Sequence, residues 1–287
     1  MPDKYILPSH KVKGKLVGNR LKLSTAVGNP NPIKKINKDW YMDKDGNMKR
    51  FNHSSETRAD NIESMKSTMK NLTDLINNNF FGWYNELWVT LTYAENMTDI
   101  PTLRKDYKQF IRKIRIKYGP IEYIYAIEPQ ERGAWHIHAL IKSRLDKPLY
   151  IPNSVIEKKW GKGFTKTKRL KNSDNVGAYL SAYLTNVDVT GTEQENDEDV
   201  YTPANTNKRI KKNARLHMYP SHTKFYIKSD GIVPPEEMTA KKYEVMEYFN
   251  AINSPFLPDN YFIFSVTDKN NVSHVFEMEN YKIRKED

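Results

Sequence analysis

His136 and His138 stand two residues apart in the run Trp135-His136-Ile137-His138-Ala139-Leu140-Ile141. Successive side chains of a strand alternate between faces, so the two imidazoles project together while Trp135, Ile137, Ala139 and Ile141 form an unbroken apolar face. The expectation is that the apolar face is buried and the histidine face stays open. Two imidazoles roughly 6.5–7 Å apart along a strand can lean onto one divalent ion, with neutral nitrogen ligands and no cysteine. Upstream, an apolar segment ends at Glu128, and Gln130-Glu131-Arg132-Gly133 has the polar residues and glycine of a hairpin turn. A hairpin that sets Glu128 opposite His136 puts both on one face, because directly opposed residues share a face. The result is a site of two histidines and a carboxylate. The competing reading is that the histidines simply decorate an exposed strand.

A second chemistry is carried by Tyr179 and Tyr183, four apart in Asn175-Val176-Gly177-Ala178-Tyr179-Leu180-Ser181-Ala182-Tyr183-Leu184. On a helix that spacing stacks them on one face about 6 Å apart along the axis. An i,i+4 aromatic pair is commonly core packing. Here Val176, Leu180 and Leu184 supply a separate apolar stripe, and Gly177, Ala178, Ser181 and Ala182 leave the hydroxyls accessible. A phenol of ordinary pKa ~10 is a weak nucleophile at neutral pH, yet it suits attack on a phosphodiester when a base or a metal's field assists it. The phosphotyrosine ester that results conserves the energy of the broken bond.

Between these motifs, residues 158–171 interleave Lys158, Lys159, Lys162, Lys166, Lys168, Arg169 and Lys171 with Trp160 and Phe164. Cations that neutralise phosphates beside aromatic faces that stack on unpaired bases are the physics of single-strand binding, against the alternative of a solvated basic face. Lys208–Lys212 (KRIKK) and the N-terminal arm are further candidate duplex contacts.

The elements that must position these groups are legible from hydrophobic period. Ile62, Met65, Met69, Leu72, Leu75 and Ile76 recur at spacings of three and four and predict a helix over 56–78. Strands are expected over 86–93, 121–128 and 135–142, and helices over 103–117, 155–160 and 174–184, with an extended stretch over 161–170. Residues 216–219 and 224–228 read as extended, 238–249 as a helix, and 260–279 as a hairpin. Glu193–Asp199 is an acidic, solvated loop. The domain reading is a basic N-terminal extension at 1–54, a central domain at 55–235, and a C-terminal helix and hairpin at 236–287.

Composition narrows the partners. Forty-six Lys and Arg against 35 Asp and Glu leave a formal charge of +11 over 287 residues, which favours a polyanion. Mean hydropathy is −0.78, yet 5 Trp, 18 Tyr and 11 Phe suffice for a core. The absence of cysteine excludes disulfides, thiolate zinc sites, iron–sulfur clusters and cysteine nucleophiles. No apolar run approaches the ~18 residues of a membrane span and no signal-peptide core is evident, so the expectation is a cytoplasmic protein with no membrane partner. No phosphate-cradling P-loop pattern occurs, so unwinding is expected to fall to a separate helicase.

Taken in order, WVTLTY (88–93), the His136-Ile137-His138 strand behind Glu128, and AYLSAYLT (178–185) resemble the three motifs of the HUH endonucleases, most closely the rolling-circle replication initiators of bacterial plasmids and phages. The helix before the first motif and the segments RLHMYP (215–220) and SDGIVPP (229–235) are also similar to that family as found in Gram-positive hosts. The resemblance covers roughly residues 55–235. It implies an α+β fold with a central five-stranded antiparallel, palm-like sheet flanked by helices. It further implies Mg²⁺ or Mn²⁺ on His136, His138 and Glu128, and Tyr179 or Tyr183 attacking single-stranded or extruded origin DNA to leave a 5′-phosphotyrosine and a priming 3′-OH. A host helicase and DNA polymerase would be the partners. Many relatives carry a lysine in the tyrosine motif where this chain has Ala182 and Asn186, and Lys166 or Lys168 are candidates to replace it. A relaxase or transposase of the same chemistry is the second reading, although relaxases usually show a third histidine where Leu140 stands. A non-catalytic nucleic-acid-binding protein is the third.

Overall fold

A computed structural model describes residues 5–26, 33–51, 57, 62–130, 132–170, 177, 180, 187–189, 200–201, 209–211, 215–221, 223–251, 257–267 and 271–283. The chain divides into two compact units, one of residues 55–233 and one built from both ends, 1–54 with 234–287.

In the unit formed by the ends, β1 (Lys11–Val17) and β2 (Arg20–Ser24) make an antiparallel hairpin. Val12, Leu21 and Leu23 turn inward as strand alternation requires. A small second sheet joins β3 (Lys34–Lys35), β4 (Trp40–Met42) and β5 (Met48–Arg50).

The unit 55–233 carries the site. Its first helix, α1 (Ile62–Asn77), buries Met65, Met69, Leu72, Leu75 and Ile76, the stripe expected from their spacing. Strand β6 (Glu86–Leu91) follows, then α2 (Ile100–Tyr118). Asp99 caps α2 by accepting from Thr102 N at 2.9 Å, with Pro101 in the first turn and Arg115 and Lys117 in the last, where cations complement the helix dipole. Strands β7 (Ile121–Pro129) and β8 (Trp135–Ser143) form a hairpin, α3 (Asn153–Trp160) follows, and β9 (Thr165–Arg169) runs along an edge. Short strands β10 (Val187–Val189), β11 (Val200–Tyr201) and β12 (Arg209–Lys211) pair with one another, and β13 (Tyr226–Lys228) returns to the main sheet. That sheet has five antiparallel strands in the order β13-β7-β8-β6-β9. The expected α+β fold with a five-stranded antiparallel sheet flanked by helices is therefore present.

Each face of the sheet has its own helical cover. On one, the Tyr107 ring of α2 lies tilted 4.0 Å from Tyr125 and edge-on 5.2 Å from Tyr123, and Phe110 meets Trp160 of α3 at 5.9 Å. On the other, Lys142 Nζ donates to Asn79 O at 3.0 Å and lies over the Phe80 ring, which places the end of α1 on the face that also carries His136 and His138. Gly177 packs against α1: a Cβ on it would stand 2.9 Å from Thr73 O, so only glycine allows so close an approach. The histidine face is thus covered over much of its length rather than open. A five-stranded sheet whose core needs both faces cannot leave one of them to water.

Three further expectations are corrected. Residues 216–218 form a 3-10 turn rather than an extended segment. Residues 238–249 divide into strand β14 (Glu236–Lys241) and a helix at Lys242–Tyr248. Pairing with the open edge of β1 overrides the helix propensity of Glu, Met, Ala and Lys there. Finally, the two ends are not separate extensions. β15 (Asn260–Thr267) and β16 (Ser273–Lys282) join the N-terminal hairpin in one sheet ordered β14-β1-β2-β16-β15. Buried Glu279 ties it together, accepting from Ile6 N at 2.7 Å and Tyr281 OH at 2.9 Å and pairing with Lys242 Nζ at 2.7 Å.

Candidate metal centre and nucleic-acid face

The turn after β7 closes with Gln130 N–H donating to Ala134 O at 2.8 Å and Gly133 N–H to Gln130 O at 2.7 Å, Gly133 adopting a positive φ of 84°. This turn sets the register, and Glu128 falls directly opposite His136, with Ala126 opposite His138. Opposed residues share a face, so Glu128, His136 and His138 all project to one side. The carboxylate reaches diagonally: His138 Nε2 and Glu128 Oε2 are 2.5 Å apart. Glu128 is 3% and His138 6% exposed, while His136 is half-buried.

The neighbouring strand orients His138. Thr90 is opposite it on β6, with Oγ1 3.4 Å from Nδ1, and Trp88 donates its indole N–H to the same Oγ1 at 3.2 Å. A neutral ring facing a carboxylate donates Nε2–H to it and accepts from Thr90 through Nδ1. Thr90 Oγ1 has lone pairs for both neighbours, so it can equally accept from Nδ1–H, the tautomer that offers the Nε2 lone pair to a metal. Burial pushes the pKa of both histidines down to about 4, reinforced at His136 by the charges of His138 and Arg132. Both rings are therefore neutral at physiological pH, as ligation requires.

On its other oxygen, Glu128 is ion-paired with Arg215 Nη1, from the turn preceding residues 216–218. Tyr219, one turn on, donates its hydroxyl to Ile127 O at 2.9 Å and sets its ring at a tilt 5.5 Å from Trp135, fixing this segment against the end of β7. Burial pulls the Arg215 guanidinium below its ordinary value, but an arginine stays cationic. Both carboxylate oxygens are thus engaged, and among the described residues no three His, Asp or Glu side chains already converge as a metal cage. The donor set nevertheless fits a divalent ion: two neutral imidazoles and one carboxylate on one face, with the 2.5 Å contact needing to open by about half an ångström for bonds of ~2.1 Å.

Lys166 pairs with Thr90, which pairs with His138, so Lys166, Thr90, His138, Ala126 and Tyr226 form one row across the sheet. Lys168 lies in the next row, its Nζ 5.0 Å from the Trp88 ring centroid. Phe164, 67% exposed, continues this edge, its carbonyl accepting from Thr92 N at 3.0 Å. Lys158 and Lys162 are exposed and Lys159 half-buried, and Lys162 pairs with Asp106 at 3.2 Å.

Two residues of this stretch depart from the reading as one single-strand surface. Trp160 is 3% exposed; its indole donates to Thr92 O at 2.7 Å and its ring packs edge-on against Tyr93 and Phe110. It ends α3 on the core side and cannot stack on a base. Arg169 pairs with Leu87 and so faces the opposite side of the sheet from Lys166 and Lys168. Tyr179, Tyr183 and Lys171 lie outside the described residues, as do Glu131, Lys208 and Lys212. Gly177 and Leu180, which bracket Tyr179, are helical and buried.

Trp88, Thr90 and Arg215 were not singled out as site residues from the sequence. Period-two alternation in WVTLTY is the signal that could have found Trp88 and Thr90 on one face, whereas nothing local marks Arg215, 87 residues from its partner.

No helix among the described residues is long and apolar enough to cross a membrane. Neither a curated protein nor a solved structure matches the chain. Residues 86–188, the stretch that runs from β6 through Glu128, both histidines and both tyrosines, match the family model described as replication-associated protein ORF2/G2P, and in this segment the chain is similar to the replication-associated proteins.

Proposed function

We propose that the protein is a replication initiator that nicks single-stranded or extruded origin DNA through a tyrosine nucleophile. The observation that carries this reading is the direct contact of Glu128 with His138, beside His136 and on one sheet face, inside the segment similar to replication-associated proteins. A divalent ion, Mg²⁺ or Mn²⁺, on His136, His138 and Glu128 would supply Lewis-acid polarisation of the scissile phosphate. Thr90 and Trp88 hold the His138 ring in place for that role. Phe164, just before the edge strand, and Lys166 and Lys168 on it line up a single strand by stacking and charge neutralisation.

In the reaction, Tyr179 or Tyr183 loses its phenolic proton to solvent, and its oxygen forms a bond to phosphorus as the bond to the 3′-oxygen breaks. The leaving 3′-oxygen takes up a proton and becomes the hydroxyl that primes synthesis. The 5′-phosphotyrosine keeps the phosphodiester's energy for a second transfer. Tyr179 is the initiating nucleophile in this proposal, with Tyr183 able to act in rejoining.

The test is to incubate the full chain with 5′- and 3′-labelled single-stranded origin DNA and Mn²⁺, and to look for a covalent adduct carrying only the downstream label, mapped to a tyrosine by mass spectrometry. Binding without adduct formation would leave a non-catalytic DNA-binding protein.

A further inference from the structure

The Glu128 carboxylate is held by two groups, His138 on Oε2 and Arg215 on Oε1. The second partner is unexpected for a metal ligand, because a fixed cation on a carboxylate opposes the binding of any other cation there. The Arg215 side chain is largely buried, and burying an ion pair carries a desolvation cost that apolar side chains would avoid. The apolar anchors of this turn are Leu216 and Tyr219, both buried in the core. Lys166 stands two strands from His138, about 10 Å away at the spacing of a sheet. Arg215 is in contact with the site itself. A guanidinium, moreover, matches the oxygens of a phosphate in a planar fork as an ammonium does not.

Resting on the nicking reading above, we propose that Arg215 is a second cationic ligand of the scissile phosphate, and that its ion pair with Glu128 is the resting state, exchanged for a phosphate contact when a divalent ion takes the carboxylate. Arg215 and the metal then compete while DNA is absent and cooperate once a phosphate is there to receive the guanidinium. By linkage, DNA must tighten metal binding by the same factor by which metal tightens DNA binding.

The experiment measures Mn²⁺ affinity from the electron paramagnetic resonance signal of unbound Mn²⁺. It uses the full chain with Tyr179→Phe and Tyr183→Phe to prevent cleavage, with and without a single-stranded origin oligonucleotide. Without DNA, Arg215→Gln is expected to bind Mn²⁺ about tenfold tighter or more, because a positive charge next to a divalent ion has been removed. The gain in Mn²⁺ affinity on adding DNA should be clearly smaller than with Arg215, since only the phosphate's own contact with the ion remains, and an undiminished gain overturns the proposal. A purely structural arginine would weaken Mn²⁺ binding when replaced, the opposite sign. Unchanged or weaker Mn²⁺ binding in Arg215→Gln overturns the proposal. Arg215→Lys keeps the charge should the glutamine variant fail to fold: a clearly reduced DNA-dependent gain supports the guanidinium's role, and an undiminished gain overturns it. Failure of the wild-type chain to form a DNA adduct would instead defeat the nicking reading, while the Mn²⁺ titration, which needs no turnover, still reads the competition. No Mn²⁺ binding by any variant would remove both the metal site and the exchange.

Discussion

Glu128 stands directly opposite His136 in the β7–β8 register, yet its carboxylate is bonded to His138, 2.5 Å away on the diagonal. The hairpin therefore brings all three side chains to one face and leaves His136 the more exposed of the two rings. His138 is the more enclosed ring, with Thr90 and Trp88 of the neighbouring strand beside it.

His136→Ala and His138→Ala should each abolish nicking while DNA affinity stays within a few-fold, since charge neutralisation and stacking do not pass through the imidazoles. Nicking of a labelled oligonucleotide and fluorescence anisotropy, run on the same preparations, check this. Full nicking by the double variant would remove the metal site from the mechanism.

Desolvation pushes both histidines, His138 buried and His136 half-buried, down to about 4 in the folded chain against ~6.5 when unfolded. Between these values the unfolded chain takes up protons that the folded chain refuses. Stability contributed by the neutral rings is therefore fully present above about 6.5 and is lost as pH falls towards 4. Urea unfolding in the presence of a chelator at pH 7, 6 and 5 should show a steeper loss for the wild-type chain than for His138→Gln. Parallel curves would count against a neutral, buried His138.

Trp160 and Phe164 are four residues apart and have opposite fates. Trp160→Ala empties a core position and should cost about 3–5 kcal/mol in unfolding free energy. Phe164→Ala should change stability by less than about 0.5 kcal/mol and weaken single-strand binding by about 1–3 kcal/mol, the worth of one stacked base. Denaturation and binding measured on both variants decide it; a destabilised Phe164→Ala would place that ring in the core.

Alternation along β9 sorts its cations. Lys166→Gln with Lys168→Gln should make the slope of log K against log[salt] shallower by about 1.4, two phosphate contacts on a single strand, whereas Arg169→Gln, on the other face, should leave it unchanged. A salt titration of oligonucleotide binding for the two variants tests the assignment, and a slope lowered only by Arg169→Gln would reverse it.

Much of the site was legible in the sequence because its signals are local. Period-two alternation through 135–141 sets His136 and His138 on one face whatever they pack against. A turn of fixed length between Glu128 and His136 then determines their register, and the α1 stripe survives for the same reason. Other features are set by partners distant in the chain, and a hydrophobic pattern states which face is buried but not what buries it. Whether the histidine face meets water depended on the end of α1 arriving over it. Trp160 looked like a stacking ring amid lysines until the end of α3 turned it onto Tyr93 and Phe110. Residues 236–241, with good helix formers, became a strand because the edge of β1 offered hydrogen bonds that a local helix would have left unmade. The ion pair of Glu128 with Arg215 was decided wholly by tertiary structure: a charge attracts across space, and 87 residues of intervening chain leave no periodicity from which to read it.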